Sequence, residues 1–438
     1  MFFGRRWRKT PVLHQSTDEY HEATSDQHPR EVQILTGHSD IIRIITRLDD
    51  RRFITASDDT TAIVWNMETG STECVLRGHD HPITCSLLLV PQTSIVLTGS
   101  SDKTIRVWDL SERVDGDRCI QVLREHQSAV KCLVKVDMDM FCSGGADICL
   151  WHKNGTLLSR HCRRENDPAI HTLLQVHGRH FCVIAAADYP SLAVYDVTKD
   201  PNTDKYKLEF AQFLARHRED IQCLTRVSES ICASASLDGA IILWSTNSFS
   251  AVKQFNYIED YQKRNFPDRV WQILVMEERY LFASVANGFK VFDVIASEDN
   301  QGCPKLLACY LNAHQLPITH MELIDNQSIL VTCSSDNTIR LWGDPKSITS
   351  AEKDGTKHSA MDKFIGRRPK SNAHYPIIPN LLGELRGHTA PVLMVCNMSP
   401  HGLVTGGVDT SLLLWKDSER ESNLRFQKVS SFLNSTTL

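Results

Sequence analysis

From about residue 31 to residue 416, short apolar runs rich in β-branched residues alternate with polar turns, and each unit closes on an aromatic residue. The stretch "TGSSDKTIRVWDL" (98–110) is one such passage: a strand end, a turn around Asp102, the alternating Ile105-Arg106-Val107, then Trp108. It recurs. Units opening on a leucine three residues before a histidine begin at Leu35, Leu76, Leu123, Leu214, Leu311 and Leu385, and two weaker copies begin at Asp167 and Asp268. Short runs of this kind bounded by turn residues read as strands. One such unit cannot bury both faces of its small sheet, so the copies must pack against one another.

The spacing sets the number of copies. Without an insertion at 343–380, residues 31–418 divide into eight units of about 44 residues, within the ~40–45 of a four-stranded blade, whereas seven units would need about 50 each. The repeat resembles the WD40 family of β-propellers. The expected fold is therefore all-β: an eight-bladed propeller over 31–418, closed by an N-terminal latch strand. The chain enters its repeats at "EVQILTGH" (31–38) and ends them at the third-strand run "SLLLWK" (411–416), so the first segment supplies the missing fourth strand of the last blade.

Histidine, serine and aspartate recur together in these units, which raises hydrolytic chemistry as a possibility. Four sets share one spacing: His38/Ser57/Asp59/Trp65, His79/Ser100/Asp102/Trp108, His217/Ser236/Asp238/Trp244 and His314/Ser334/Asp336/Trp342. Four active sites on one chain are far less economical than one structural network repeated four times. In the WD40 family the turn aspartate orients the histidine, which bonds the serine, which bonds the indole. A buried polar group left unpaired costs ~1–3 kcal/mol, so such a set is kept or lost together. The unit at Leu385 has Gly407 in the serine position, and the unit at Leu123 keeps His126, Ser143 and Trp151 with Asp147 out of register. The weak copies carry Tyr195 and Phe292 for tryptophan, and their blades are expected to rest on packing.

Composition narrows the function classes. The net charge of −5 gives no basic footprint for nucleic acid. No apolar run approaches the ~18 residues of a membrane span, and the opening "MFFGRRWRKT" lacks the apolar stretch of a secretory signal. Fourteen cysteines include no Cys-x-x-Cys pair and fall mostly in strand-like runs, which suits a reducing, cytoplasmic setting without zinc. No phosphate-cradling glycine loop or nucleophile elbow occurs, so neither catalysis nor a cofactor is expected.

The non-repeating parts carry the partner chemistry. Residues 1–30 are a polar tail whose basic-aromatic start either is a plain tail or touches an anionic surface. Residues 419–438 read as an amphipathic helix: Ser418 and Glu421 form a capping box, and Phe426, Val429 and Leu433 share a face with Phe432 beside it. That stripe packs either on the propeller flank or on a partner. The insertion sits between the third and outer strands of blade 7. Its "KFIGRRPK" (363–370) is either a linear motif that folds into another protein or part of a solvated spacer. The connection at 256–268 either covers the weak sixth blade or forms a contact.

Three stretches, "LLGELRGHTAPV" (381–392), "HGLVTGGVDTSLLLWKDSERESNLRFQK" (401–428) and "SAVKCLVKVDMDMFCSGGADICLWHKNG" (128–155), are similar to the WD repeat-containing protein 41 family. That resemblance implies a non-enzymatic adaptor joined to a DENN/longin-domain heterodimer that acts on small GTPases and supports autophagy and lysosome function. It implies DENN-subunit contacts at Glu31, Val32, Gln33, Ile34 and Leu35 and at Phe426, Val429, Phe432 and Leu433. It also implies that Phe364, Ile365, Gly366, Arg367 and Arg368 engage a lysosomal cationic amino-acid transporter, so that a cytoplasmic complex is recruited peripherally to lysosomes. The rival reading is a cullin-ligase substrate receptor. Such receptors carry Trp-Asp-x-Arg at a blade end, whereas Trp108-Asp109 is followed by Leu110-Ser111.

Overall fold

The computed structural model describes residues 31–90, 94–111, 118–163, 167–177, 181–187, 189–201, 205–255, 269–297, 304–324, 329–343, 378–399 and 401–416. These residues form thirty-two strands in eight antiparallel four-stranded sheets, the eight-bladed all-β propeller that the repeat predicts. In chain order, blades 1 to 7 span 42–76, 83–123, 132–161, 170–215, 221–255, 270–310 and 318–386. Blade 8 combines Val392–Asn397, Gly402–Gly407 and Leu412–Lys416 with Glu31–Leu35 as its outermost strand.

Residue type follows distance from the hub. Every residue of the second strands Tyr280–Val285 and Ile329–Ser334 is buried, and the third strand Ala62–Asn66 is buried up to its last residue. The outermost strand Thr72–Leu76 is mostly exposed apart from Leu76. Strands covered on both faces read as nearly continuous apolar runs, and β-branched and small side chains fit between the layers. Eight apolar clusters fill the eight spaces between neighbouring blades. In the space that closes the ring, Leu35, Val404, Leu412 and Leu414 of blade 8 pack with Ile42, Phe53, Ile63 and Trp65 of blade 1.

Strand alternation gives the ring two unlike faces. One carries the turns between second and third strands and the crossings from rim to hub, including His38 and Asp59. The other carries the first-to-second and third-to-fourth turns. The insertion leaves this second face at Gly343 and re-enters at Asn380, residues that are register partners. Glu31 and Lys416 are also register partners, so both ends of the described chain lie at this face of blade 8.

Candidate functional site

Six blades contain a buried polar chain, and in four of them its hydroxyl differs from the one the sequence suggests. In blade 1 the Trp65 indole N–H donates to Thr55 Oγ1 (2.8 Å), which meets His38 Nε2 (2.8 Å), while His38 Nδ1 meets the Asp59 carboxylate (2.8 Å). Ser57 is outside this chain. Its hydroxyl donates to the Asp40 carbonyl (3.0 Å) and accepts from the Asp59 amide (3.1 Å), shaping the turn. The same correction applies to the other three expected sets. The Trp108 indole donates to Thr98 (2.7 Å) instead of Ser100, Trp244 to Ser234 (2.8 Å) instead of Ser236, and Trp342 to Thr332 (2.9 Å) instead of Ser334. The histidines His79, His217 and His314 meet those same hydroxyls. Blade 8 has Gly407 in the serine position, yet it holds a full network, because Thr405 bridges His388 and Trp415 at 2.8 Å each.

Register explains the shift. Phe53 faces Trp65 and Thr55 faces Ile63, so Thr55 and Trp65 share a sheet face across neighbouring strands. In blade 5 Cys232 faces Trp244 and Ser234 faces Ile242, which places Ser234 beneath the Trp244 indole in the same way; Ser236 lies at the strand end, where its hydroxyl donates to the Glu219 carbonyl (2.8 Å). In blade 3 Phe141 faces Trp151 and Ser143 faces Cys149, the same register with a turn two residues shorter. Ser143 there bonds both His126 (2.6 Å) and Trp151 (2.8 Å). Asp147 pairs with Arg160 instead of the histidine, and His126 Nδ1 is left without a hydrogen-bond partner. The blade-5 set His217/Ser236/Asp238/Trp244 is corrected at a second point: Asp238 lies 3.6 Å from His217 Nδ1, beyond hydrogen-bond length.

Electrostatics fits structural chains of neutral histidines. Burial pushes the pKa of His38 and His388 down and that of His126 and His314 down to about 4, against the opposing pull of the neighbouring aspartates. Burial alone would raise Asp59, but bonds from Thr61, the Ser39 amide and His38 outweigh it and keep the carboxylate ionised. With Nδ1–H donated to the carboxylate, Nε2 accepts from the threonine hydroxyl, whose oxygen receives the indole proton. Each hydroxyl is buried and committed to its neighbours, so none is placed to attack a substrate. Blades 4 and 6 substitute ring contacts: Tyr195 packs edge-on against His161 (5.1 Å) and Phe210 (5.8 Å), and Phe292 against Phe255 (4.9 Å).

The closing strand offers a different kind of site. Its side chains alternate as a strand requires. Leu35 is buried in the core, and Gln33 is tied to the ring: its amide donates to the Thr69 carbonyl (3.2 Å) and accepts from Lys416 Nζ (3.0 Å). Lys416 Nζ also donates to the Glu68 carbonyl (2.8 Å), fastening blade 8 to blade 1. Val32 and Ile34 point outward and are 40% and 63% exposed. Of the five strand residues singled out from the sequence, these two present an apolar contact surface. Phe364, Ile365, Gly366, Arg367, Arg368, Phe426, Val429, Phe432 and Leu433 lie outside the described residues, as do 1–30 and 419–438.

Sequence reasoning missed a second fastening of the closing blade. Arg47 of blade 1 donates to the carbonyls of Asn397 (3.4 Å) and Ser399 (2.9 Å), and Glu322 of blade 7 accepts the Asn397 amide (3.1 Å). Both are singular residues within a repeat, and spacing gives no cue to them. Among the described residues no His/Cys/Asp/Glu group is arranged to hold a metal ion, and no helix is long and apolar enough to cross a membrane.

Comparison with known proteins agrees with this architecture. The family model described as Beta-prop_WDR41 matches residues 6–425. "WD repeat-containing protein 41" of Mus musculus is 30% identical over 430 residues, covering 91% of this chain and 89% of its own length. The Homo sapiens protein of the same name is 29% identical over 441 residues, covering 91% and 90%. A shorter match, 35% over 101 residues, covers 23% of this chain and 8% of the Arabidopsis thaliana "DENN domain and WD repeat-containing protein SCD1". Among solved structures, the computationally designed Ika8 protein superposes with a TM-score of 0.63 at 20% identity over 87% of this chain and 98% of that one, a likeness of fold alone.

Proposed function

This chain belongs to the WD repeat-containing protein 41 family of β-propellers, a scaffold class that works through protein partners, and on that premise we propose that it is the adaptor of a DENN/longin-domain heterodimer. The complex regulates small GTPases in support of autophagy and lysosome function, and the DENN partners supply the GTPase chemistry. The observation that carries this reading is the closing strand. Val32 and Ile34 form an apolar face at the rim, beside the point where the chain continues from Lys416 toward Phe426, Val429, Phe432 and Leu433. Exposed apolar side chains at the edge of a sheet suit a protein contact. A relative whose name joins a DENN domain to WD repeats is consistent with the pairing.

The blade-7 insertion supplies the second contact. Phe364, Ile365, Gly366, Arg367 and Arg368 engage a lysosomal cationic amino-acid transporter and bring the complex from the cytoplasm to the lysosome. Support comes from the ring itself: Gly343 and Asn380 pair directly, so the register of the blade is complete without 344–377.

Affinity purification from fed and amino-acid-starved cells tests both contacts. Val32→Asp with Ile34→Asp is expected to abolish recovery of the DENN pair while the propeller still melts cooperatively. Removing 360–372 is expected to retain the DENN pair and lose the transporter and the lysosomal puncta. Unchanged recovery in the first variant overturns the strand contact, and persistent puncta in the second overturn the loop contact.

A further inference from the structure

The space between blades 1 and 2 is open where its counterpart between blades 5 and 6 is bridged. In blade 5 Lys253 faces Leu243, and its ammonium crosses to donate to the Val294 carbonyl of blade 6 (3.0 Å). Cys74 holds that register position in blade 1, opposite Val64, and is too short to cross. What remains is a cleft of about 770 Å³ with Val64 and Leu110 at its apolar part, on the face from which the insertion leaves. That volume falls within the ~300–1,000 Å³ of ligand sites.

Charge in the cleft is unevenly satisfied. Asp49 is held by the Arg52 guanidinium (2.7 Å) and by the amides of Arg51 (2.9 Å) and Arg52 (2.8 Å), and Asp50 pairs with Arg47 (2.5 Å). Arg52 also donates to the Ser94 hydroxyl (3.1 Å) and the Leu110 carbonyl (3.4 Å), and Arg51 lies 3.4 Å from Glu68. Glu73 accepts from the Asn66 amide (3.2 Å) and is exposed to water, where a carboxylate needs no counter-charge. Arg118 differs. It is half-buried, donates to the carbonyls of Ser111 (3.1 Å) and Asp109 (3.5 Å), and pairs with no carboxylate among the described residues. Burial pushes the pKa of the Cys74 thiol up against the pull of Arg118, so that guanidinium stands close to the cleft wall.

We infer that this cleft binds an acidic linear segment of a protein partner, with a carboxylate on Arg118 and a neighbouring apolar side chain against Val64 and Leu110. A guanidinium takes a carboxylate through two parallel bonds, and a half-buried pair is screened less than an exposed one. The cleft opens to the surface, which suits a chain that continues beyond it on both sides. Neither the closing strand nor the insertion contributes a residue, so the site stands apart from the two contacts proposed above.

Phage-displayed random heptapeptides selected on the purified full-length chain test it. The recovered peptides, resynthesised with a fluorophore and titrated by anisotropy, are expected to carry Asp or Glu beside an apolar residue. Arg118→Glu is expected to weaken their binding about tenfold or more. Replacing the peptide's acid with Lys is expected to restore binding to that variant. Cys74→Phe fills the cleft, leaves every charge in place and is expected to give the same loss; it carries the test if Arg118→Glu does not fold. No recovered peptide, peptides without an acid, or full binding by a folded Arg118→Glu or Cys74→Phe chain each overturn the inference. Val32→Asp with Ile34→Asp is expected to bind the peptides as the parent does, so this inference and the DENN contact fail separately.

Discussion

A single hydroxyl decides whether a blade carries a polar chain or an apolar wedge. Thr98 accepts the Trp108 indole N–H at 2.7 Å and meets His79 Nε2 at 2.8 Å, with all three residues buried. Thr98→Val keeps the shape and strands both partners, so it is expected to cost about 1–3 kcal/mol. Asn287→Ala removes one exposed bond, from Nδ2 to the Gln315 carbonyl (3.1 Å), and is expected to change stability by less than about 0.5 kcal/mol. Urea titrations of the two variants check the difference; equal midpoints would show that the networks do not carry the blades. Glu322 gives a second residue-scale expectation. Burial pushes its pKa up to about 7 from 4.5, despite the Asn397 amide and the charge of Arg47. A carboxyl raised in the folded state contributes its full stability below its unfolded value, near 4.5, and loses it as pH rises through about 7. Glu322→Gln is therefore expected to melt higher than the parent at pH 8 and level with it at pH 5, by calorimetry at the two pH values. The buried histidines have the opposite sign, since the unfolded chain takes up their protons first as pH falls below 6.5. They are present in both proteins and cancel in the comparison.

At the scale of elements, the sequence announces strands better than it announces bonds. The outer strand of blade 7 was legible directly after the insertion and is found at Asn380–Arg386, because its leucine-rich run into Leu385-Arg386-Gly387-His388 repeats the Leu-x-Gly-His form that ends the rim strands Glu31–Leu35 and Thr72–Leu76. The bridging hydroxyl was not legible. The serine two residues before the turn aspartate is constant in the four strong units and draws the eye, but it belongs to the turn. The residue that bridges varies between threonine and serine and sits inside the second strand, where only pairing register relates it to the tryptophan. The cue was ten residues before each tryptophan: Thr55, Thr98, Ser234, Thr332 and Thr405 stand there, ahead of Trp65, Trp108, Trp244, Trp342 and Trp415. The insertion gives an element-scale prediction. Because Trp342 faces Leu381 and Gly343 faces Asn380, replacing 344–377 with a two-residue turn keeps the hairpin register. The shortened protein is expected to melt within a degree or two of the parent in differential scanning fluorimetry; a large drop would mean that the insertion supports the blade.

The whole molecule separates holding from reaching. Six hydroxyl-bridged histidines lie toward one face, and the segments that interrupt the repeat at blades 7 and 8 leave from the other, on neighbouring blades. The ring count was readable from unit length alone, because eight clusters between eight sheets need eight copies of one pattern. The uses of the interruptions were not readable in that way, since a segment that does not repeat has no internal standard against which to judge its residues. The closure of the ring also bears on how the protein is made. Its last sheet takes Glu31–Leu35 from near the start of the chain and Leu412–Lys416 from near the end. During synthesis the early strand therefore waits on the ribosome, Val32, Ile34 and Leu35 unpaired, until nearly four hundred further residues have emerged. For that interval the nascent protein presents an apolar edge to its surroundings, and chaperones have a longer claim on it than on any of the seven sheets that complete themselves locally.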